Sequence, residues 1–198
     1  MAISFYALDL ETNGLAWKNN FHEICELSMV RASDKMQLSK QVRVDKPENS
    51  SFDALKITNK TANDLRHGIS KRELVETVEQ FVFEDGLTPE HRCIVGHNVI
   101  NFDRKFLWQL WETFDKQFPF ALFLDTMHLM RAYAKKNQLI KPSLKLQSSC
   151  ELLNIKVLGK AHTAKYDTQN TFLLWQELGK SIDYIDHIKR MPHNLNNE

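Results

Sequence analysis

The sequence predicts an α/β fold organised on a mixed five-stranded sheet, with three antiparallel strands first and parallel strands after them. Three observations lead there. An apolar run from Ile3 to Thr12 stops at the turn signal Asn13-Gly14, and two stretches of strand-like alternation follow, joined at Ala32-Ser33-Asp34-Lys35. Further along, a short apolar run followed by helical periodicity occurs twice, the pattern of strand-helix units. Finally, 198 residues with 42% hydrophobic content can bury one sizeable core.

In order, residues 3–12 form the opening strand, and residues 22–32 and 36–44 the hairpin partners. Residues 46–51, with Pro47 among small polar residues, read as a loop. A short helix is expected over 61–66, capped by Thr61 and interrupted before Gly68. A longer helix starts at Ser70-Lys71-Arg72-Glu73, a capping box, and carries Leu74, Val78, Phe81 and Val82 on one face until Asp85-Gly86. Residues 92–97 make a buried strand and 102–114 a helix with Phe102, Phe106, Leu110 and Phe114 on one side. Residues 120–124 form the last strand, and helices follow over 126–136, 142–153 and 164–179. Residues 1–189 are expected to be a single domain, and the polar stretch 190–198, with Pro192 and several asparagines, a frayed tail.

The net charge of +1 gives no global argument for a polyanionic partner. Locally, residues 126–166 carry eight basic side chains (Arg131, Lys135, Lys136, Lys141, Lys145, Lys156, Lys160, Lys165) against one acid, Glu151. They suit either a phosphate backbone or ordinary solvated helix faces. Cys25, Cys93 and Cys150 lie among apolar neighbours without metal-ligand spacing, so they read as core residues in a reducing compartment. No apolar run approaches the roughly 20 residues that span a bilayer, and no secretory signal pattern opens the chain, so the expected location is cytoplasmic.

The chemistry rests on three segments. Asp9 and Glu11, two apart on a strand, point to one face, where two carboxylates repel unless a cation lies between them; a strand running into an acidic loop is the plain alternative. Asp103 falls in the first turn of the mid-chain helix, a place the helix dipole favours for any acid. His162 precedes Asp167 by five residues at the start of the last long helix. Asp-x-Glu, then Asn98 to Phe102-Asp103, then His162 to Asp167, in that order and with these connections, resembles the DEDDh group of the DnaQ-like 3′-5′ exonuclease superfamily, relatives of proofreading exonuclease subunits, oligoribonuclease and RNase T. The resemblance runs from residue 3 to residue 180, and is supported by residues 22–27, Leu124-Asp125-Thr126, residues 143–146 and residues 150–155.

That resemblance implies an RNase H-like sheet and a metal-dependent 3′-5′ exonuclease. Such an enzyme releases nucleoside 5′-monophosphates from single-stranded DNA or RNA ends. Hard ions, two Mg²⁺ or Mn²⁺, want carboxylate oxygens. By the resemblance Asp9 bridges the two, Glu11 and Asp167 hold the one nearer the nucleophile, and Asp103 acts through water at the other. His162 is the implied general base, since imidazole exchanges protons near neutrality. The tyrosine-type relatives place Tyr four residues before the last aspartate, where this chain has Thr163. Three residues, Val99-Ile100-Asn101, separate Asn98 from Phe102-Asp103 where many histidine-type relatives have two, so either Asn98 or Asn101 takes that polar contact. By the resemblance Thr12 and Leu15 map to the grip on the terminal nucleotide with Phe106 beside it, and Trp17 and Phe21 lie in a loop able to meet bases; the plain alternative is that Phe106 is core and Trp17 a loop anchor. A catalytically inactive nucleic-acid-binding or scaffolding module is the alternative, and a homodimer or polymerase-associated subunit is compatible with either.

Overall fold

The computed structural model describes residues 2–191. Its centre is a six-stranded mixed sheet in the order β3-β2-β1-β4-β5-β6. β1 (Ser4–Thr12), β2 (Ile24–Arg31) and β3 (Gln37–Gln41) form an antiparallel meander. β4 (Arg92–Gly96) joins β1 in parallel and β5 (Leu122–Asp125) joins β4 in parallel, so both halves of the expected sheet are present.

Alternation along β1 assigns the two faces. Tyr6, Leu8 and Leu10 enter the core packed beneath α2 (Lys71–Phe83) and α3 (Asp103–Thr113), with Leu74, Val78, Leu107 and Trp111. Ala7 enters the opposite core with Leu129, Met130, Phe172 and Trp175, from α4 (Thr126–Lys136) and α6 (Ala164–Gly179). Asp9 and Glu11 share the parity of Ala7, so the pleat turns them toward the α6 side. Among the described residues, no helix is long and apolar enough to cross a membrane.

Several local features match the sequence. Ser70 and Glu73 make the reciprocal capping box, α4 and α6 begin and end where expected, and all three cysteines are buried and free. Others differ. β6 (Lys189–Arg190) pairs antiparallel with β5, making six strands instead of five and drawing Arg190 out of the expected tail into the sheet. Two adjacent cations have no alternation to reveal a strand. The tail's remainder, 192–198, lies outside the described residues.

The helix expected over 61–66 is a short 3-10 turn, Asp64–Arg66, in which Thr61 and Asp64 hydrogen-bond each other reciprocally. The true helix of this region is α1 (Phe52–Thr58), capped by Ser51 within what reads as loop and ended by Asn59 in the left-handed region (φ 55°). α5 (Leu146–Leu152) begins four residues later than expected: Lys145 is extended at its start, and Ser143 Oγ accepts the Lys145 N–H at 3.4 Å.

Candidate active site

The acidic side chains converge where β1 runs past its parallel neighbour. Pairing of β1 with β4 extends from Ser4 opposite Arg92 to Ala7 opposite Val95. Beyond it the Leu10 N–H turns to another acceptor, Asp103 Oδ1, at 3.2 Å. Asp103, the first residue of α3 and buried, is thereby drawn onto the strand that carries Asp9 and Glu11.

What delivers Asp103 is the turn between β4 and α3. Asn98 adopts φ 71°, and the buried Asp125 holds the turn by accepting the N–H groups of Asn98 (3.0 Å) and Ile100 (3.2 Å) while capping α4 through Met127 N–H (3.0 Å). Asn98 O accepts from Asn101 N and Phe102 N, and Asn101 Nδ2 donates to Asn98 Oδ1 at 3.3 Å. Asn98 thus shapes the turn through its backbone, with the exposed Asn101 leaning on its side chain.

The third segment comes from the start of α6. Gly159 lies so close over the Tyr166 ring that an added Cβ would sit 2.2 Å from it, and Asn170 brackets Leu158 by accepting its N–H (2.8 Å) and donating to its carbonyl (3.1 Å). The chain then reaches His162, exposed and at φ 61°, whose N–H donates to Asp167 Oδ2 at 2.8 Å. Ligand-capable atoms of Glu11, His162 and Asp167 lie within 4.8 Å of one another, an arrangement able to hold a metal ion.

Electrostatics mark the same group. Asp9 is pushed well above the usual carboxylate range by burial first, then by Asp103, Glu11 and Asp167. Glu11, 9% exposed, is pushed up to about 8 by burial and by the charges of Asp167, Glu26 and Asp103. Burial raises Asp103 to about 7, against the backbone N–H bonds that favour its charge, and burial also raises Asp167. Four acids that resist ionising together suit hard divalent cations, which take carboxylate oxygens as ligands.

The remaining sequence-derived positions are spread around this centre. Thr12 is buried, its hydroxyl donating to Gly14 O at 2.8 Å, while Leu15 next to that turn is 76% exposed. Phe106 is 3% exposed and packs on Phe102 with ring centroids 5.1 Å apart, so it belongs to the core beneath the site more than to its rim. The eight basic residues of 126–166 are all exposed. Of these, Lys160 lines a cavity of about 580 Å³ beside His162, together with Lys60, His67 and Gln41. Glu26 is the acid that sequence reasoning missed: it sits directly opposite Glu11 across β1 and β2, a register that a single strand's pattern does not disclose.

Comparison with known proteins adds the following. The family model RNase_T, described as exonuclease, matches residues 6–174. Among solved structures, E. coli exonuclease I in complex with a dT13 oligonucleotide superposes with a TM-score of 0.74 at 19% identity, covering 90% of this chain and 41% of that one. The nuclease domain of 3′hExo, a DEDDh family member bound to rAMP, gives 0.72 at 16% identity over 96% and 98%. Cell-death related nuclease 4 (CRN-4) gives 0.73 at 13% over 90% and 64%. The chain therefore spans less than two thirds of CRN-4 and of exonuclease I, and at these identities the likeness is one of fold. No curated protein sequence matches the chain.

Proposed function

The chain belongs to the RNase_T exonuclease family, within the DnaQ-like superfamily, and on that premise we propose that it removes nucleotides one at a time from the 3′ end of single-stranded DNA or RNA. The observation that carries this reading is that the charges of Glu11, Asp103 and Asp167 all act on Asp9, each of the four acids having a raised pKa, while Glu11 and Asp167 lie within ligand distance of His162. Two divalent cations, Mg²⁺ or Mn²⁺, held by these four carboxylates would supply neutralisation of the phosphate and activation of the attacking water.

His162 takes a proton from the water as its oxygen forms the new bond to phosphorus. The bond to the 3′ oxygen of the penultimate nucleotide breaks and that oxygen takes a proton from solvent water, so a nucleoside 5′-monophosphate departs and the shortened strand keeps a 3′ hydroxyl. The exposure of His162 supports this role, since an exposed imidazole can meet a substrate arriving from solvent. Leu15 offers an apolar surface at the end of β1 suited to a base face. The exposed lysines of 126–166 supply cations for the strand's phosphates.

The test is degradation of single strands labelled at the 5′ end, in Mg²⁺ or Mn²⁺ and in chelator, using matched DNA and RNA of several lengths including dinucleotides. A ladder shortening from the 3′ end only with metal is expected. Binding without degradation, under every metal condition, would overturn the reading and favour an inactive binding module. Marked preference for dinucleotides would identify short-oligonucleotide clearance as the role.

A further inference from the structure

The proposed function leaves Glu26 unused, yet both of its carboxylate oxygens are engaged at the site's edge. Oε1 forms an ion pair with Lys60 Nζ, and Oε2 accepts the Ala164 N–H at 3.2 Å. Ala164 is the first residue of α6, and Thr163, the residue that should cap that helix, makes no side-chain cap bond. Helices begin with N–H groups that have no partner within the helix, and an acid is the favoured acceptor there. Here the acceptor comes from another element: β2 caps α6, two residues after His162.

Lys60 is itself held in place. Asn59 turns the chain in the left-handed region at the end of α1, and the Lys60 N–H closes that end on Leu55 O at 3.0 Å. The ammonium so placed neutralises an acid that faces Glu11 directly across two strands, an arrangement otherwise unfavourable. Farther along α6, Thr168 Oγ1 donates to Ser28 O at 3.1 Å and Gln169 Nε2 to Gln37 Oε1 at 2.8 Å, so the helix body has its own attachments to the sheet. Glu26 is the attachment nearest His162 that is not itself one of the four metal-holding candidates.

We propose that Glu26, held by Lys60, is a positioning residue that fixes the His162 loop beside Glu11 and Asp167, acting through the Ala164 N–H. The inference rests on the exonuclease reading for its effect on turnover, whereas the anchoring can be measured without turnover. Glu26→Ala should lower kcat by about 10- to 100-fold through misplacement of the base. KM for the oligonucleotide should stay unchanged. Glu26→Gln, whose amide oxygen still accepts from Ala164, should restore most of the rate. In a His162→Ala background Glu26→Ala should cost nothing more, because a residue acting through His162 has nothing left to position.

Amide hydrogen exchange at residues 160–164 should accelerate in Glu26→Ala while β2 stays protected, which also shows that the variant is folded. Lys60→Ala should move exchange and kcat in the same direction by smaller amounts. Unchanged exchange or a full additive loss in the His162→Ala background would each overturn the proposal. A wild-type protein with no nuclease activity would strike the exonuclease reading alone, and the exchange result would still decide whether Glu26 anchors the loop.

Discussion

Both ends of β1 hold largely buried acids, and the two ends treat them in opposite ways. Near its start Asp85, 10% exposed, is surrounded by donors: Arg92 Nη2 at 2.7 Å, Tyr6 OH at 2.7 Å and Leu87 N–H at 2.8 Å. Burial pulls Asp85 upward, but Arg92 and these hydrogen bonds outweigh it and hold the carboxyl below its usual value. Near its end Asp9 and Glu11 meet Asp103 and Asp167, and their pKa values rise. The difference teaches that burial of an acid marks no function. An acid whose donors are supplied by the fold is structure, and a group of acids whose counter-charge the fold withholds is poised for something from outside.

The sharpest break of this comparison is to remove one acid from each end. Asp9→Ala should cost on the order of 10³-fold in exonuclease rate, comparable to deleting a principal transition-state contact. Because it relieves repulsion, the metal-free Tm should hold or rise; a clear drop in Tm would show that Asp9 is a structural acid after all. Asp85→Ala should do the reverse, losing roughly 3 kcal/mol of stability by stranding the buried Arg92. Its rate per folded molecule should stay near wild type, measured by chemical denaturation beside the same nuclease assay. A large rate loss in the folded variant would erase the division between the two ends.

A smaller effect separates base from ligands within the acidic end. His162→Ala should lower kcat by roughly 10²-fold, the low end for a positioned proton acceptor, and leave Mn²⁺ binding by calorimetry within a factor of about 3. Unaltered turnover would remove His162 from the proton-transfer role.

The smallest effect is in pH. Glu11 binds its proton more tightly folded, at about 8, than at its ordinary value of 4.5. The native state thus holds more protons in that window, and its stability falls as pH rises from 4.5 toward 8. Asp85 has the opposite sign: its lowered pKa contributes stability above the ordinary carboxylate value that is lost on acidification. Metal-free protein should therefore show a Tm that falls steadily between pH 5 and 8, and saturating Mg²⁺ should remove most of that slope. A flat metal-free Tm across this window would count against mutual repulsion at the site.

Much of this was legible in sequence because its signals are local. Two-residue spacing put Asp9 and Glu11 on one face, the Ser70 to Glu73 box set the start of α2, and helical periodicity bounded α6. What escaped depends on pairing between distant segments. Glu26 looks like any half-buried strand residue until the register sets it against Glu11. Lys60 looks like one more surface cation until the C-terminal turn of α1 aims it. Asp125 reads as a helix cap, which it is, but its second task, holding the Asn98 turn, needs three dimensions to appear.

The two-residue strand at the sheet's margin has a consequence of another kind. β5 would otherwise present open hydrogen-bonding groups along its outer side, and these invite pairing with a second chain. Lys189 and Arg190 cover Phe123 and Leu122 there, and Met191 N–H continues to Ala121 O at 3.1 Å. Both covering residues are exposed and cationic, and two are too few to template further growth. The strand that the sequence hid most completely thus covers the outer edge of β5, and the C-terminal limit of any shortened version of this protein should lie beyond it.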